Sequence, residues 1–484
     1  MLVIGLDVGT TGTKAIVVDE NGTNLGSGYR EYALKSDKGK VTQSAADWWD
    51  AAAFAIKTAT KNVDTKDITA ISLSTQAASM LCADGDGDPL CEVITWMDTR
   101  SSAEAQELSE AIGKENIYRK SGWLPSPVLD GAKILWIKKN CPELFKSTSY
   151  FISTLEFMNM KLCGKCVIDP TNAAMRQIFN IETGKWDSEI LDFIGITEDR
   201  LPEVLPIGAP VGKLTPMAAE TLGLHTDVTV YNGAHDQYCA SIGSGAVEAG
   251  DMLLATGTTW VVLGITDKLL YTENHISPGI HAVKGRFGAL ASLVSAGSAL
   301  NWYRSIIDGD FKEMDVKASE RMESAKNLFV LPYVCGAGFP HNRPDMRGAM
   351  IGLDKGHDRF DIALALMEGV AFEAASVLRQ FKENGMDIST LMMTGGAARS
   401  DLWSEIVGYV TGCDIYRMKE PETCCIGAAM TAAVGCGMFK DYNECRSVMV
   451  KREKLELADA SKREFYTKKY ERYITLVDAL KNIM

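Results

Sequence analysis

Little in this chain speaks for a membrane, a nucleic acid or a secreted fold. Across 484 residues no apolar run approaches the roughly 20 residues needed to cross a bilayer. Basic charge is in deficit: 50 Lys and Arg against 63 Asp and Glu leave a net −13. That excludes generic attraction to nucleic acid or to an anionic membrane, while permitting a phosphorylated ligand held by a few local groups. Six histidines stand singly and offer no metal cluster. Twelve cysteines follow no framework spacing and read as small buried hydrophobes of a reducing compartment. The pair in Cys163-Gly164-Lys165-Cys166 has metal or redox spacing, yet no second CxxC and no histidine cluster follows it, so it reads as a turn holding two thiols. Adjacent Cys424 and Cys425 receive the same reading. The N-terminus enters a strand-like pattern at once, without the layout of a secretory leader, and the chain is expected to be cytoplasmic.

What is present suits a large globular protein. Apolar residues make up 46% and charged residues 23%, and the length fits two large domains. Strand-like and helix-like segments alternate through the front half. A hairpin over 3–22 is followed by a helix over 45–61 that Asp47 can cap, then a buried strand over 68–76. Residues 93–100 read as another strand, 101–113 as a serine-capped helix, and 127–145 as a helix stopped near Pro142. A second cycle starts near 228. It comprises strand, polar turn and small-residue helix over 228–246, a hairpin over 252–266, and a long amphipathic helix over 360–385. Strand, Gly-Gly turn and helix follow over 390–412, then a helix of small residues over 424–437 able to pack very closely. The tail 462–484 reads as an amphipathic helix. No linker rich in proline, serine or charge divides the chain.

A weak internal repeat organises these elements. GLDVGTTGTKAIVVD (5–19) and LATGTTWVVLGI (254–265) share an apolar strand, a Gly-Thr-Thr turn and a second apolar strand. Two similar domains, 1–247 and 248–484, that face each other across a cleft and hinge near 245–252 would account for the repeat. The first turn is neither GxxxxGK[ST] nor GxGxxG, and the residues after Lys14 continue as strand. It is a hairpin turn that either binds phosphate or merely reverses the chain. Glycines that let backbone N–H groups approach oxygen, with hydroxyls and an ammonium close by, favour phosphate, and the second copy strengthens that reading. Asp7, at the strand end, is placed to hold Mg²⁺ through water. Asp236 sits where a strand meets a helix and is either a helix N-cap or an acid able to take a proton from a substrate hydroxyl.

In order along the chain, GLDVGTTGTKAIVVDENG, WMDTR (96–100), AKILWIKKNCPELF (132–145), GAHDQYCASIGSGAV (233–247), ATGTT (255–259), GSALNWYR (297–304) and TGGAARSDLW (394–403) resemble the FGGY carbohydrate kinases. The resemblance covers roughly residues 1–440. It implies an α/β fold, a two-domain actin-like ATPase (ribonuclease H-like) core in duplicate, with an N-terminal sugar-binding and a C-terminal nucleotide-binding domain. It further implies transfer of the ATP γ-phosphate to a sugar or polyol hydroxyl. By analogy Asp236 is the general base, and Asp7 with Asp236 holds Mg²⁺. Thr10, Thr11, Lys14, Gly257 and Thr258 surround the phosphates, while Gly395 and Gly396 flank adenosine. Ala397 stands where the family often has a third glycine.

The same resemblance implies sugar contacts from Gln76, Trp96, Asp98, Arg100 and Gln237. Trp96 could instead be core packing, and Arg100 an ion-pair partner of Asp98. His235 reads as a packing residue. Length and layout look most like a xylulokinase, but Gln76-Ala77-Ala78 replaces the Gln-Met-His usual there, and the Arg-Glu pair of glycerol kinases is missing. Residues 335–348 also depart from the usual form, with Ala337-Gly338 where a Glu-Arg pair is frequent. D-Xylulose therefore leads a field of ketoses, polyols and sugar acids that includes erythritol, ribulose and gluconate. The reading from a different class is a non-metabolic actin-like ATPase. Relatives are often dimers, so a homodimer is possible.

Overall fold

Leu2–Val8 and Gly12–Asp19 form an antiparallel hairpin whose residues are almost all buried, as expected for β-branched and aliphatic runs covered on both faces. The computed structural model describes residues 1–481. The hairpin is the centre of a six-stranded sheet in the order Pro210–Lys213, Thr229–His235, Ile68–Thr75, Leu2–Val8, Gly12–Asp19, Asn24–Glu31. Leu2–Val8 and Thr229–His235 both run parallel to Ile68–Thr75, so crossover helices are required. The first is Ala45–Ala59, which packs Trp48, Ala52 and Ile56 into the core on one face. Its N-cap position is Ser44, without a side-chain cap bond; Asp47 lies inside the first turn rather than capping it.

The opposite face is covered by helices Asp236–Gly243 and Thr423–Gly435. Their glycines explain the small-residue composition. A Cβ on Gly427 would lie 1.9 Å from the Cys239 carbonyl oxygen, and one on Gly5 would lie 2.0 Å from that of Cys425. Backbone meets backbone here, at a distance no side chain permits.

A second sheet repeats the arrangement. Asp251–Thr256 and Trp260–Thr266 form its antiparallel hairpin. Asp251–Thr256 runs parallel to Thr390–Gly395, which runs parallel to Asp414–Met418. Phe287–Leu293 lies beyond Trp260–Thr266. The order of these five strands equals that of the first sheet from Asn24–Glu31 to Thr229–His235, which establishes the duplicated actin-like core. Helix Arg359–Glu383 opens with a capping box between Asp358 and Asp361 and buries Leu364, Val370, Phe372 and Phe381. The C-terminal helix Ala460–Leu480 is tied to it by a buried 2.5 Å ion pair from Lys469 to Glu368 and by Tyr473, which donates to Glu373. Residues 482–484 of the expected tail helix lie outside the described residues.

The compact units do not follow a single cut at 247/248. One comprises Met1–Val247, Ser277–Gly288 and Glu422–Val450; the other comprises Glu248–Ile276, Ala289–Pro421 and the remainder from Lys451. The small-residue helix Thr423–Gly435 packs in the first unit, where Gly427 lies against Cys239, Gly435 against Tyr231, and Cys425 and Ala429 against Gly5.

Two further local readings, of 93–100 and 127–145, are corrected. Only Val93–Ile94 of 93–100 is strand, since Asp98 and Thr95 turn the chain. Pro142 ends the helix Asp130–Asn140 but also starts a new one, Pro142–Ser147, at the position where a missing N–H costs nothing. Cys163 ends a helix and Gly164 turns left-handed, and among the described residues no group of acids, histidines and cysteines could hold a metal by itself. No described helix is long and apolar enough to cross a membrane.

Candidate functional site

In the first unit the turn Gly9–Gly12 is held from its carbonyl side. Tyr32 Oη donates to Gly9 O, Gln43 Nε2 to Thr10 O, and Tyr32 N to Thr11 O. In a trans peptide the next N–H points away from such a carbonyl. The amides of Thr10 and Thr11 therefore face opposite to Tyr32 and Gln43, as a phosphate-binding turn requires. Trp96, 42% exposed, donates its indole N–H to Thr10 Oγ1 at 3.0 Å, which leaves the Thr10 hydroxyl hydrogen for another acceptor.

Asp7 stands two residues before this turn, in the strand Leu2–Val8. It accepts a 2.7 Å hydrogen bond from Ser74, and burial, reinforced by the charges of Asp236 and Glu422, pushes its carboxyl up to about 7. Lys14 meets Glu422 at 2.6 Å, and both side chains are about one-third exposed. Asp236 is the first residue of its helix, yet His235 occupies the cap position and no side-chain cap bond forms there. Asp236 Oδ1 is 3.0 Å from His235 Nε2 but out of alignment for a hydrogen bond, and so has no hydrogen-bond partner. Gln237 Oε1, next in sequence, is likewise without one. The His235 ring packs beside Tyr238, in keeping with a packing role.

Three residues expected at the sugar, Asp98, Arg100 and Gln76, are engaged by neighbours within the first unit. Asp98 is fully buried, and its carboxylate accepts from Val41 N and from Arg100 N, Nε and Nη2. The Arg100 guanidinium is thereby paired through Nε and Nη2, and it lies over the Trp136 ring. Gln76 is 2% exposed; it donates to Gln43 and accepts from Ser79, so it supports the residue that holds Thr10. Sequence reasoning missed Gln43, Ser74 and Glu422 because each is defined by a partner distant in the chain. It also missed Lys133, which lies inside the quoted segment 132–145. Lys133 is fully buried, its ammonium is depressed to about 8 by burial, and it donates to the carbonyls of Ala78 and Ile94.

The second unit holds a nucleotide-sized cavity of ≈ 490 Å³, lined by Thr256, Gly257, Gly396, Ala397, Met367 and Trp403 among others. Thr256 organises it, accepting at Oγ1 from Ala397 N and Ala398 N and at its carbonyl from Gly396 N. Gly395 has φ +88° and would place a Cβ 2.7 Å from the Thr256 carbonyl, so only glycine fits this turn. Thr258 O accepts from Ser298 N, which fixes the second Gly-Thr turn.

The duplicated actin-like core and the nucleotide-sized cavity of the second unit fit a nucleotide-using phosphotransferase. Residues 2–243 match the N-terminal domain, and residues 252–436 the C-terminal domain, of the FGGY family of carbohydrate kinases. The chain belongs to that family and is an ATP-dependent carbohydrate kinase. A xylulose kinase of Bacillus subtilis is 30% identical over 492 residues, spanning 99% of this chain and 96% of that protein. Solved structures of a ligand-bound xylulose kinase and of a gluconate kinase, both from Lactobacillus acidophilus, are each 27% identical, with TM-scores of 0.93 and 0.92. Each comparison covers 99% of this chain and 98% of the other.

The raised Asp7 carboxyl has a measurable consequence. Its folded value of about 7 exceeds the ordinary 3.8. Between those values the folded state binds the proton and the unfolded state does not. This group's contribution therefore makes the protein less stable as pH rises from about 4 through 7. Asp7→Asn is expected to stabilise the metal-free protein at pH 8 by on the order of 1–3 kcal/mol, with the gain fading as pH falls towards 4. Urea unfolding in EDTA across that range checks the sign; a gain that does not change with pH would refute it.

Proposed function

We propose that the enzyme transfers the ATP γ-phosphate to a hydroxyl of a ketose, D-xylulose foremost, with Asp236 as general base. The observation that carries this is Asp236 itself, a helix-opening acid with an oxygen no protein donor uses. The base takes the hydroxyl proton as the acceptor oxygen bonds to phosphorus and ADP departs. Phosphoryl transfer asks little more of a protein than positioning and charge neutralisation. The amides of Thr10 and Thr11, with Lys14, supply the first unit's share. Gly257 and Thr258 face the ATP phosphates, and Gly395 and Gly396 flank its adenosine. Trp96 and Gln237 contact the acceptor.

The carboxylates of Asp236 and Glu422 act on Asp7, and this acid-rich setting suits Mg²⁺, which is usually held by one or two carboxylates together with phosphates. Asp7, with Asp236, would hold it, and when bound the ion neutralises phosphate charge. A neutral ketose is favoured over a sugar acid because a carboxylate is best held by a cation, while the Arg100 charge is already paired with Asp98 and Lys133 donates to two carbonyls. The 30% identity to a xylulose kinase points the same way. Twelve free cysteines fit a cytoplasmic setting. The homodimer suggested by relatives is checked by sedimentation.

Release of ADP from ATP and Mg²⁺ is measured with D-xylulose, ribulose, erythritol, glycerol and gluconate. D-Xylulose is expected to exceed gluconate and glycerol at least about tenfold in kcat/KM, the discrimination that one or two hydrogen bonds provide. Preference for gluconate would overturn the ketose reading while leaving the kinase in place.

A further inference from the structure

Away from these groups, strand Leu81–Ala83 and the return segment 89–94 bring two thiols together. Met80 and Ile94 exchange both backbone hydrogen bonds, and Leu90 N donates to Cys82 O. Met80 pairs with Ile94 and Ala83 with Pro89, so three steps on one side face five on the other. The return segment must bulge between those pairs, over 90–92. Cys91 stands in that bulge, next to the residue whose N–H is bonded to Cys82 O, so the backbone sets the two cysteines side by side and each acts on the other's thiol. Cys91 is partly exposed, while Cys82 beneath it is completely buried.

The surroundings divide the labour between the two sulfurs. The hydrogen bond from Cys82 and the nearby Arg100 charge hold the Cys91 thiol down at about 7, although burial opposes them. The same partnership, with burial, pushes Cys82 up. The CxxC pair is different in kind. Burial raises Cys163 to about 11 and Cys166 to about 12, and the Cys163 thiol donates to Asn159 O. Reactivity follows the thiolate and its access, which selects Cys91.

We propose that Cys82 and Cys91 are an oxidisable dithiol, with Cys91 taking oxygen from a hydroperoxide and Cys82 closing the disulfide. The Cys91 thiolate attacks one peroxide oxygen, the O–O bond breaks, and hydroxide leaves, giving a sulfenic acid. The Cys82 sulfur then attacks the Cys91 sulfur. The S–O bond breaks, the Cys82 proton passes to the departing oxygen, and water leaves. In sum, two thiols and hydrogen peroxide give one disulfide and two waters. Cysteines set side by side by the Leu90 N–Cys82 O hydrogen bond need only a local adjustment of the bulge to bring their sulfurs to ~2.05 Å.

The test treats the full chain with hydrogen peroxide, alkylates remaining thiols with iodoacetamide under denaturing conditions, and maps tryptic peptides. The peptide Asp67–Arg100 contains Cys82 and Cys91 and no other cysteine. It is expected to lose its capacity for alkyl groups, and to become lighter by two hydrogens, at peroxide levels that leave Cys163 and Cys166 fully alkylated. Cleavage at Asp84, Asp86 or Asp88 should leave its halves joined until reduction. Cys91→Ser should abolish the change, and Cys82→Ala should leave a Cys91 sulfenic acid that dimedone traps. Full alkylation of both cysteines once exposed Cys335 is oxidised would overturn the proposal, as would Cys91 sulfinic acid formed without a disulfide.

Discussion

Asp236→Asn lowers kcat for acceptor phosphorylation by about 10³-fold, within the 10²–10⁴-fold that a positioned general base contributes. The change replaces one oxygen by an amide nitrogen and removes the only group assigned to take the hydroxyl proton. Because His235, not Asp236, occupies the helix cap position and Asp236 Oδ1 accepts no hydrogen bond, the exchange removes only the charge beside His235 and Asp7 and breaks no hydrogen bond of that oxygen. The thermal midpoint should therefore match the parent's, and nucleotide binding, followed through the buried Trp260–Trp403 pair of the second unit, should be retained. Coupled ADP release with D-xylulose and ATP measures the rate. Retention of activity within about tenfold would remove Asp236 from the role of base, since such a residue would contribute less than general-base catalysis does.

Gly427→Ala produces the largest expected loss of stability. Helix propensity alone predicts the opposite, since alanine in a helix interior is favoured over glycine by about 1 kcal/mol. The new Cβ would lie 1.9 Å from the Cys239 carbonyl oxygen, 2.6 Å from its carbonyl carbon and 2.9 Å from its Cα. These are backbone atoms of the helix that Asp236 opens, and no rotamer change relieves them. The two helices must separate, exposing apolar contacts along their length, at a cost of about 3 kcal/mol or more. Thermal unfolding should show a clear fall in midpoint. Activity should fall further than the midpoint implies, because the displaced helix carries the base. An unchanged or raised midpoint would mean that the helices tolerate separation and that the small-residue surface is not a packing requirement.

Much of this was legible in the sequence where the signal is local. The hairpin, the buried strand Ile68–Thr75, the long helix Arg359–Glu383 and the Gly-Gly turn each follow from residue patterns only a few positions long. The repeat of the Gly-Thr turn gave the duplication. Reading 93–100 as a strand failed because Asp98 binds Val41 N, Arg100 and its own turn, and a partner so far back in the chain leaves no mark in that window. The same limit applied to Gln76, whose buried partners Gln43 and Ser79 are decided by packing.

The sequence by itself determined the core's duplication, the family and the chemistry of its residues, because periodicity, turn composition and ordered motifs are properties of neighbours in the chain. Only the tertiary structure decided that Lys14 pairs with Glu422, that the Cys425 thiol reaches Lys14 O across 411 positions, and that Asp7 titrates near 7 beside two other acids. It also decided that Asp98 accepts from Val41 and Arg100 while Asp236 Oδ1 accepts no hydrogen bond. Electrostatics and burial depend on distances in space. The chain sets those distances only when helices such as Asp236–Gly243 and Thr423–Gly435 have closed on each other.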